Sequence, residues 1–182
     1  MSAANNLLIF LIDILISMYA GAVLLRVILA HNRADFYNPI SQFLVSITNP
    51  VILPLRKIFP SIGPLDTASW VLIFSLQGLR LFALTQLNGL NISLSSLIIA
   101  VTLQVLSSII SILIYAIIIR AIFSWFQNPY SNQNPLLEIL YSITEPLLRP
   151  ARKIIPPINM IDLSAFFVVL FLYSLQIIIR SF

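Results

Sequence analysis

Asp13 and Arg80 are the charges most out of place in this sequence, because each interrupts a long apolar run. A charge at membrane depth is a functional-site hypothesis: an ion or proton relay, or a pair in which each charge relieves the cost of the other. Helical counting gives the two residues one depth. Arg26 follows Asp13 by thirteen residues and Arg80 follows Asp66 by fourteen, which are about 20 Å and about 21 Å of helix. With Arg26 and Asp66 at a common boundary, an intramembrane ion pair between Asp13 and Arg80 is expected, with Arg80 snorkelling outward. The corresponding residues later in the chain are Ser107 and Gln176, so a relay would belong to one half only.

Arg56-Lys57 and Arg152-Lys153 are the second constellation. A cation pair on a stiff, proline-flanked amphipathic segment suits lipid phosphate or a membrane partner. The plainer reading is topology determination alone. Other chemistry finds little support. His31 is the only histidine and reads as a loop residue rather than a haem or metal ligand. Glu138 and Glu145 lie in one segment, but Gln42 and Asn49 stand at the matching earlier positions, so a paired acid/base site is not expected. Ser95-Ser96 and Ser107-Ser108 have no neighbouring base. With no cysteine and four glycines, thiolate chemistry is excluded and a glycine-rich phosphate loop is not supported. No catalytic residue, cofactor site or metal site is assigned.

The elements that position these residues occur twice. Asn38-Pro39, Thr48, Pro50, Pro54, Arg56-Lys57, Pro60 and Asp66 recur without a gap as Asn134-Pro135, Thr144, Pro146, Pro150, Arg152-Lys153, Pro156 and Asp162. A match this long indicates internal duplication. Asn38 and Asn134 suit helix N-caps followed by proline at the first helical position. Asp66 and Asp162 suit the caps of the helices that follow. Ile40, Phe43, Leu44 and Ile47 make one apolar helical face, as do Leu136, Ile139, Leu140 and Ile143. Each motif helix is too short to span and is expected to lie at the interface. Pro50 is expected to end the first of them, with a second short element running from Pro50 to Pro60. Gly63-Pro64 reads as a turn.

The composition fixes the class. The chain is 59% hydrophobic and 9% charged, with mean hydropathy +1.01; an ordinary soluble domain is about 25% charged. The class is all-α integral membrane, with four transmembrane helices arranged as two parallel-topology repeats. The first repeat is residues 1–90, with spans near 7–30 and 67–87 and an interfacial segment over 38–60. The second is residues 91–182, with spans near 99–126 and 163–181 and an interfacial segment over 134–156. Ser93 to Phe126 is apolar throughout, about 50 Å as a helix, so the residues before Ile99 are expected to be an interfacial or tilted extension. Met1 to Asn6 lacks the features of a removable signal peptide, and a retained first helix is expected.

Arg33, Arg56, Lys57, Arg149, Arg152 and Lys153 lie in the motif loops, and the central turn from Gln86 to Asn91 carries no cation. The positive-inside rule therefore places the motif loops in the cytoplasm and both termini outside. The net charge of +4 is spread thinly, which favours anionic lipid over nucleic acid as a partner.

Asp35-Phe36-Tyr37-Asn38-Pro39, Thr48-Asn49-Pro50, Pro54-Leu55-Arg56-Lys57 and Gly63-Pro64-Leu65-Asp66 resemble the YggT family, as do Thr144-Glu145-Pro146, Pro150-Ala151-Arg152-Lys153 and Asp162. The resemblance covers nearly the whole chain as two tandem domains. The second copy departs from it with Asn159-Met160 in place of Gly63-Pro64. The resemblance implies an inner-membrane protein. It also implies links to osmotic-stress tolerance and, in plastid and cyanobacterial relatives, to division and haem attachment. It supplies no reaction. The expected function is a non-enzymatic scaffold or assembly factor that binds anionic lipid or a membrane-protein partner. The alternative is a small channel or transporter responding to osmotic or ionic stress.

Overall fold

Long apolar runs in a low-dielectric setting favour helix, because a helix satisfies its own backbone. The computed structural model of the chain describes residues 3–125, 134–155 and 162–181. Among them are six helices: α1 (Ala3–His31), α2 (Pro39–Ile58), α3 (Thr67–Leu87), α4 (Leu94–Trp125), α5 (Pro135–Ile154) and α6 (Leu163–Arg180). Four of these, α1, α3, α4 and α6, are long and apolar enough to cross a membrane. The chain is an all-helical membrane protein. The expected loop from Gln127 to Gln133, the end of a span at Phe126, Pro156 and the Asn159-Met160 turn lie outside the described residues.

One expectation is corrected. Pro50 does not end a helix: α2 runs unbroken through Pro50 and Pro54, and α5 runs through Pro146 and Pro150. Each internal proline forfeits a ladder hydrogen bond. All four are exposed, so the loss falls on an outward face, while the opposite face buries Leu44, Thr48 and Ile52 in α2 and Leu140, Thr144 and Leu148 in α5. The four-residue proline spacing keeps both breaks on one side. The residues before Ile99, expected as an interfacial or tilted extension, are helical, and α4 starts at Leu94. Ser93 makes the earlier start workable: its Oγ accepts the Ser96 N–H at 3.1 Å and its carbonyl accepts the Leu97 N–H at 2.9 Å. At 32 residues α4 is about 48 Å long, against a hydrocarbon core of about 30 Å.

The chain divides into two compact units, and the sequence boundary at 90–91 falls inside the first. The first unit comprises Met1–Val27 and Ser46–Ser108. Its buried apolar residues include Ala20, Val23 and Leu24 of α1, Ile52 of α2, Leu72 and Ile73 of α3, and Val101 and Val105 of α4. Gly78 of α3 faces Val101, whose Cγ2 stands 3.8 Å from where a β-carbon would sit. Leu90 N–H closes on the Thr85 carbonyl at 2.9 Å around Gly89, whose φ of +71° is the left-handed region that ends helices.

The second unit comprises Ile28–Val45 and Ile109–Phe182. Ile110, Ile114 and Ile117 of α4, Leu148 of α5 and Leu172 of α6 form its apolar core. The N-termini of α2 and α5 meet here: Asn38 Nδ2 donates to the Pro135 carbonyl at 2.9 Å and to Glu138 Oε2 at 3.0 Å.

Candidate functional site

Asn38 and Asn134 each accept the backbone N–H two residues on, Ile40 and Leu136, at 3.0 Å. That fixes the register of α2 and α5, and with it the direction of every cation further along. Two helical turns separate residue 49 from Arg56 and residue 145 from Arg152, so each pair shares a helix face.

On the first of these faces, Arg26 at the end of α1 donates to Thr48 Oγ1 at 2.6 Å and to Asn49 Oδ1 at 2.9 Å. Arg56 closes on Asp66, with Nη2 2.6 Å from Oδ2. Asp66 stands at the N-cap of α3, but its carboxylate takes Arg56 and the Ser69 hydroxyl rather than a helix N–H. Burial pushes the Asp66 carboxyl up, and the Arg56 and Ser69 hydrogen bonds with the Arg56 charge outweigh it, holding the group below its ordinary range. The hydrogen bond to Asp66 in turn holds the Arg56 guanidinium above its usual value, against burial.

The second face is built from the same residue types with one difference. Arg120 donates to Thr144 Oγ1 at 2.6 Å and stacks on Tyr141, its Cζ 3.8 Å from the ring centroid. Its Nη2 also meets Glu145 Oε2 at 3.0 Å, and Arg152 Nη1 meets Glu145 Oε1 at 3.2 Å. Arg152 reaches Asp162 at 2.8 Å. Asp162 caps α6 by accepting the Ser164 N–H at 3.1 Å. Burial raises Glu145 and Asp162, but the arginine contacts, and Ser164 for Asp162, outweigh it and leave both below the ordinary carboxylate range. Burial lowers Arg152, and its two carboxylate partners outweigh that and leave it raised.

The two residues of each Arg-Lys pair therefore have different surroundings. Arg56 and Arg152 are partly buried and engaged with carboxylates. Lys57 and Lys153 are exposed and make no hydrogen bond or ion pair among the described residues. Each lysine adjoins an exposed apolar residue, Ile58 at 70% and Ile154 at 82%. An ammonium beside an outward aliphatic side chain suits the boundary between phosphate and acyl chain.

Asp13 and Arg80 meet within the first unit. Arg80 Nη2 is 2.5 Å and Nε 2.8 Å from Asp13 Oδ1, and Arg80 Nη1 also donates to Gln77 Oε1 at 3.2 Å. In the second unit Gln176 donates to Ser111 Oγ at 2.6 Å, one turn along α4 from Ser107. His31 is exposed at the end of α1, and the described residues hold no group of three or more His, Asp or Glu able to bind a metal ion.

Two roles escaped sequence reasoning. Thr48 and Thr144 stood in the repeated pattern without a function, and they are the acceptors that seat Arg26 and Arg120. Glu145 was set aside because Asn49 replaces it in the first copy, yet its seven-residue spacing from Arg152 was the available signal of a shared face.

The profile of the CCB3/YggT family matches residues 5–87 and 91–182. An uncharacterized protein YggT of Escherichia coli is 34% identical over 171 residues, covering 94% of this chain and 88% of the relative. An uncharacterized protein of Pseudomonas aeruginosa is 36% identical over 181 residues, covering 98% and 91%. One from Vibrio alginolyticus, described by its place in the proC 3′ region, is 38% identical over 162 residues, covering 87% and 85%. No solved structure matches the chain.

Proposed function

This chain belongs to the CCB3/YggT family, and from that premise we propose that it is a non-enzymatic scaffold or assembly factor of the inner membrane. In this reading it holds anionic lipid against its two motif helices and offers that lipid-bound face to a membrane-protein partner, in support of osmotic-stress tolerance. The motif loops face the cytoplasm and both termini face outside, following the distribution of Lys and Arg.

The observation that carries the reading is the separation of roles within each Arg-Lys pair. Asp66 engages Arg56, and Asp162 with Glu145 engages Arg152, whereas Lys57 and Lys153 stand exposed beside Ile58 and Ile154. Carboxylates hold the arginines in place, and the lysines carry the lipid contact beside Ile58 and Ile154. Each such cation near an anionic surface contributes about 1 kcal/mol. Photo-cross-linkers placed at Ile58 and Ile154 in native membranes test the assignment. Lipid adducts at both positions support it, protein adducts beside them identify the partner, and an absence of lipid adducts contradicts it.

A channel or transporter is the second reading, resting on the hydrogen-bonded polar group of Asp13, Arg80 and Gln77. The direct pairing of Asp13 with Arg80 favours a tie between helices, since a relay needs a member free to exchange its proton or ion.

A further inference from the structure

We infer that Arg26, Asn49 and Arg56 form a binding site for a phosphate group. The second unit shows what the first lacks. There Glu145 lies between Arg120 and Arg152, so two guanidinium groups face two carboxylates, Glu145 and Asp162. In the first unit the corresponding arginines, Arg26 and Arg56, face one carboxylate among the described residues, Asp66. Asn49 occupies the place of Glu145: it accepts from Arg26 as Glu145 accepts from Arg120, and it lies seven residues before Arg56 as Glu145 lies seven before Arg152. Arg56 follows Asn49 by two helical turns on the face of α2 that Arg26 engages, so the three share one face.

A partly buried cluster with one surplus cation attracts an anion from outside the chain. The partners present select its type. Two guanidinium groups offer forked donors that suit the oxygens of a phosphate. Asn49 holds its Oδ1 on Arg26, and its Nδ2 donors have no acceptor among the described residues, so the amide adds a donor where Glu145 would repel an anion. The site includes neither Lys57 nor Lys153. A lipid headgroup and free phosphate offer the same chemistry.

The test uses the full chain in detergent, in a K57Q/K153Q background that removes the lysine contact, so that failure of either proposal is distinguishable from failure of the other. Melting temperature is followed during titration with phosphatidylglycerol, with inorganic phosphate, and with phosphate-free diacylglycerol as control. A rise with phosphatidylglycerol alone assigns a headgroup, and a rise with inorganic phosphate assigns a free anion; either supports the site. Asn49→Glu supplies the bridging carboxylate internally. It is expected to start at a higher melting temperature and to show an anion-dependent rise at least about fivefold smaller. Arg26→Gln is the second variant, and it too is expected to lose the rise. No rise in the background protein with either phosphate probe overturns the site, as does an undiminished rise in either variant.

Discussion

Arg80 on α3 reaches Asp13 on α1, with Nη2 2.5 Å from Oδ1. The contact joins α1 to α3 within the first unit, and an unpaired charge at the centre of a spanning helix costs on the order of 2.5–3.5 kcal/mol on insertion scales. Asp13→Asn and Arg80→Gln are each expected to lower the melting temperature of the solubilised protein. The double variant is expected to recover toward wild type, with a coupling of about 1 kcal/mol in a double-mutant cycle. Additive losses would show that the pair is not coupled. A double variant that regains stability and loses stress tolerance would favour the transport reading.

Orientation rests on the cation asymmetry, and the lack of native cysteine makes it measurable. Asn88 is exposed in the turn after α3, and Tyr37, 85% exposed, precedes α2. Asn88→Cys is expected to react with an impermeant thiol reagent applied from outside, and Tyr37→Cys only after permeabilisation. The reverse pattern would invert the topology.

Asp66, Glu145 and Asp162 all hold their protons less tightly in the folded chain than in the unfolded one. A lowered carboxylate contributes stability that is present above its unfolded value, near 4, and is lost as pH falls through the folded value. The melting temperature is therefore expected to hold from pH 7 to about 5 and to drop below about 4. Glu145→Gln is expected to melt lower at pH 7 and to lose less on acidification. A drop of wild-type size in that variant would remove Glu145 from the account.

Arg152 ties α5 to both Glu145 and the start of α6. Arg152→Gln leaves two carboxylates without their shared cation and is expected to cost about 1 kcal/mol, or about 2–4 °C for a chain of this size. Lys153→Gln is expected to leave the melting temperature unchanged. Equal losses would contradict the separation of roles.

Much of the fold was legible because apolar run length is a strong signal. The span read over 67–87 has the limits of α3, and the last span begins at Leu163 as read. The prolines were misread because a local rule about the residue before proline was applied without its context. Pro50 and Pro54 face outward, and burial of Leu44, Thr48 and Ile52 holds the helix through them. The residues before Ile99 were read as an interfacial or tilted extension, and the cap that Ser93 offers makes 94–98 the first turn of α4. The site was legible as residue types but not as partners. The sequence shows Arg56 and Lys57 as equals, and only the closure of Asp66 on Arg56 separates them.

That separation is the central claim, and local lipid capture tests it most directly. A photo-cross-linker at Ile58 or Ile154 is read in phosphatidylglycerol vesicles, with and without Lys57→Gln or Lys153→Gln. A contribution of about 1 kcal/mol per lysine predicts a roughly fivefold loss of phosphatidylglycerol adduct at the neighbouring position. The distant position and the melting temperature should stay unchanged. Undiminished capture at both positions in correctly inserted double variant K57Q/K153Q would contradict the account.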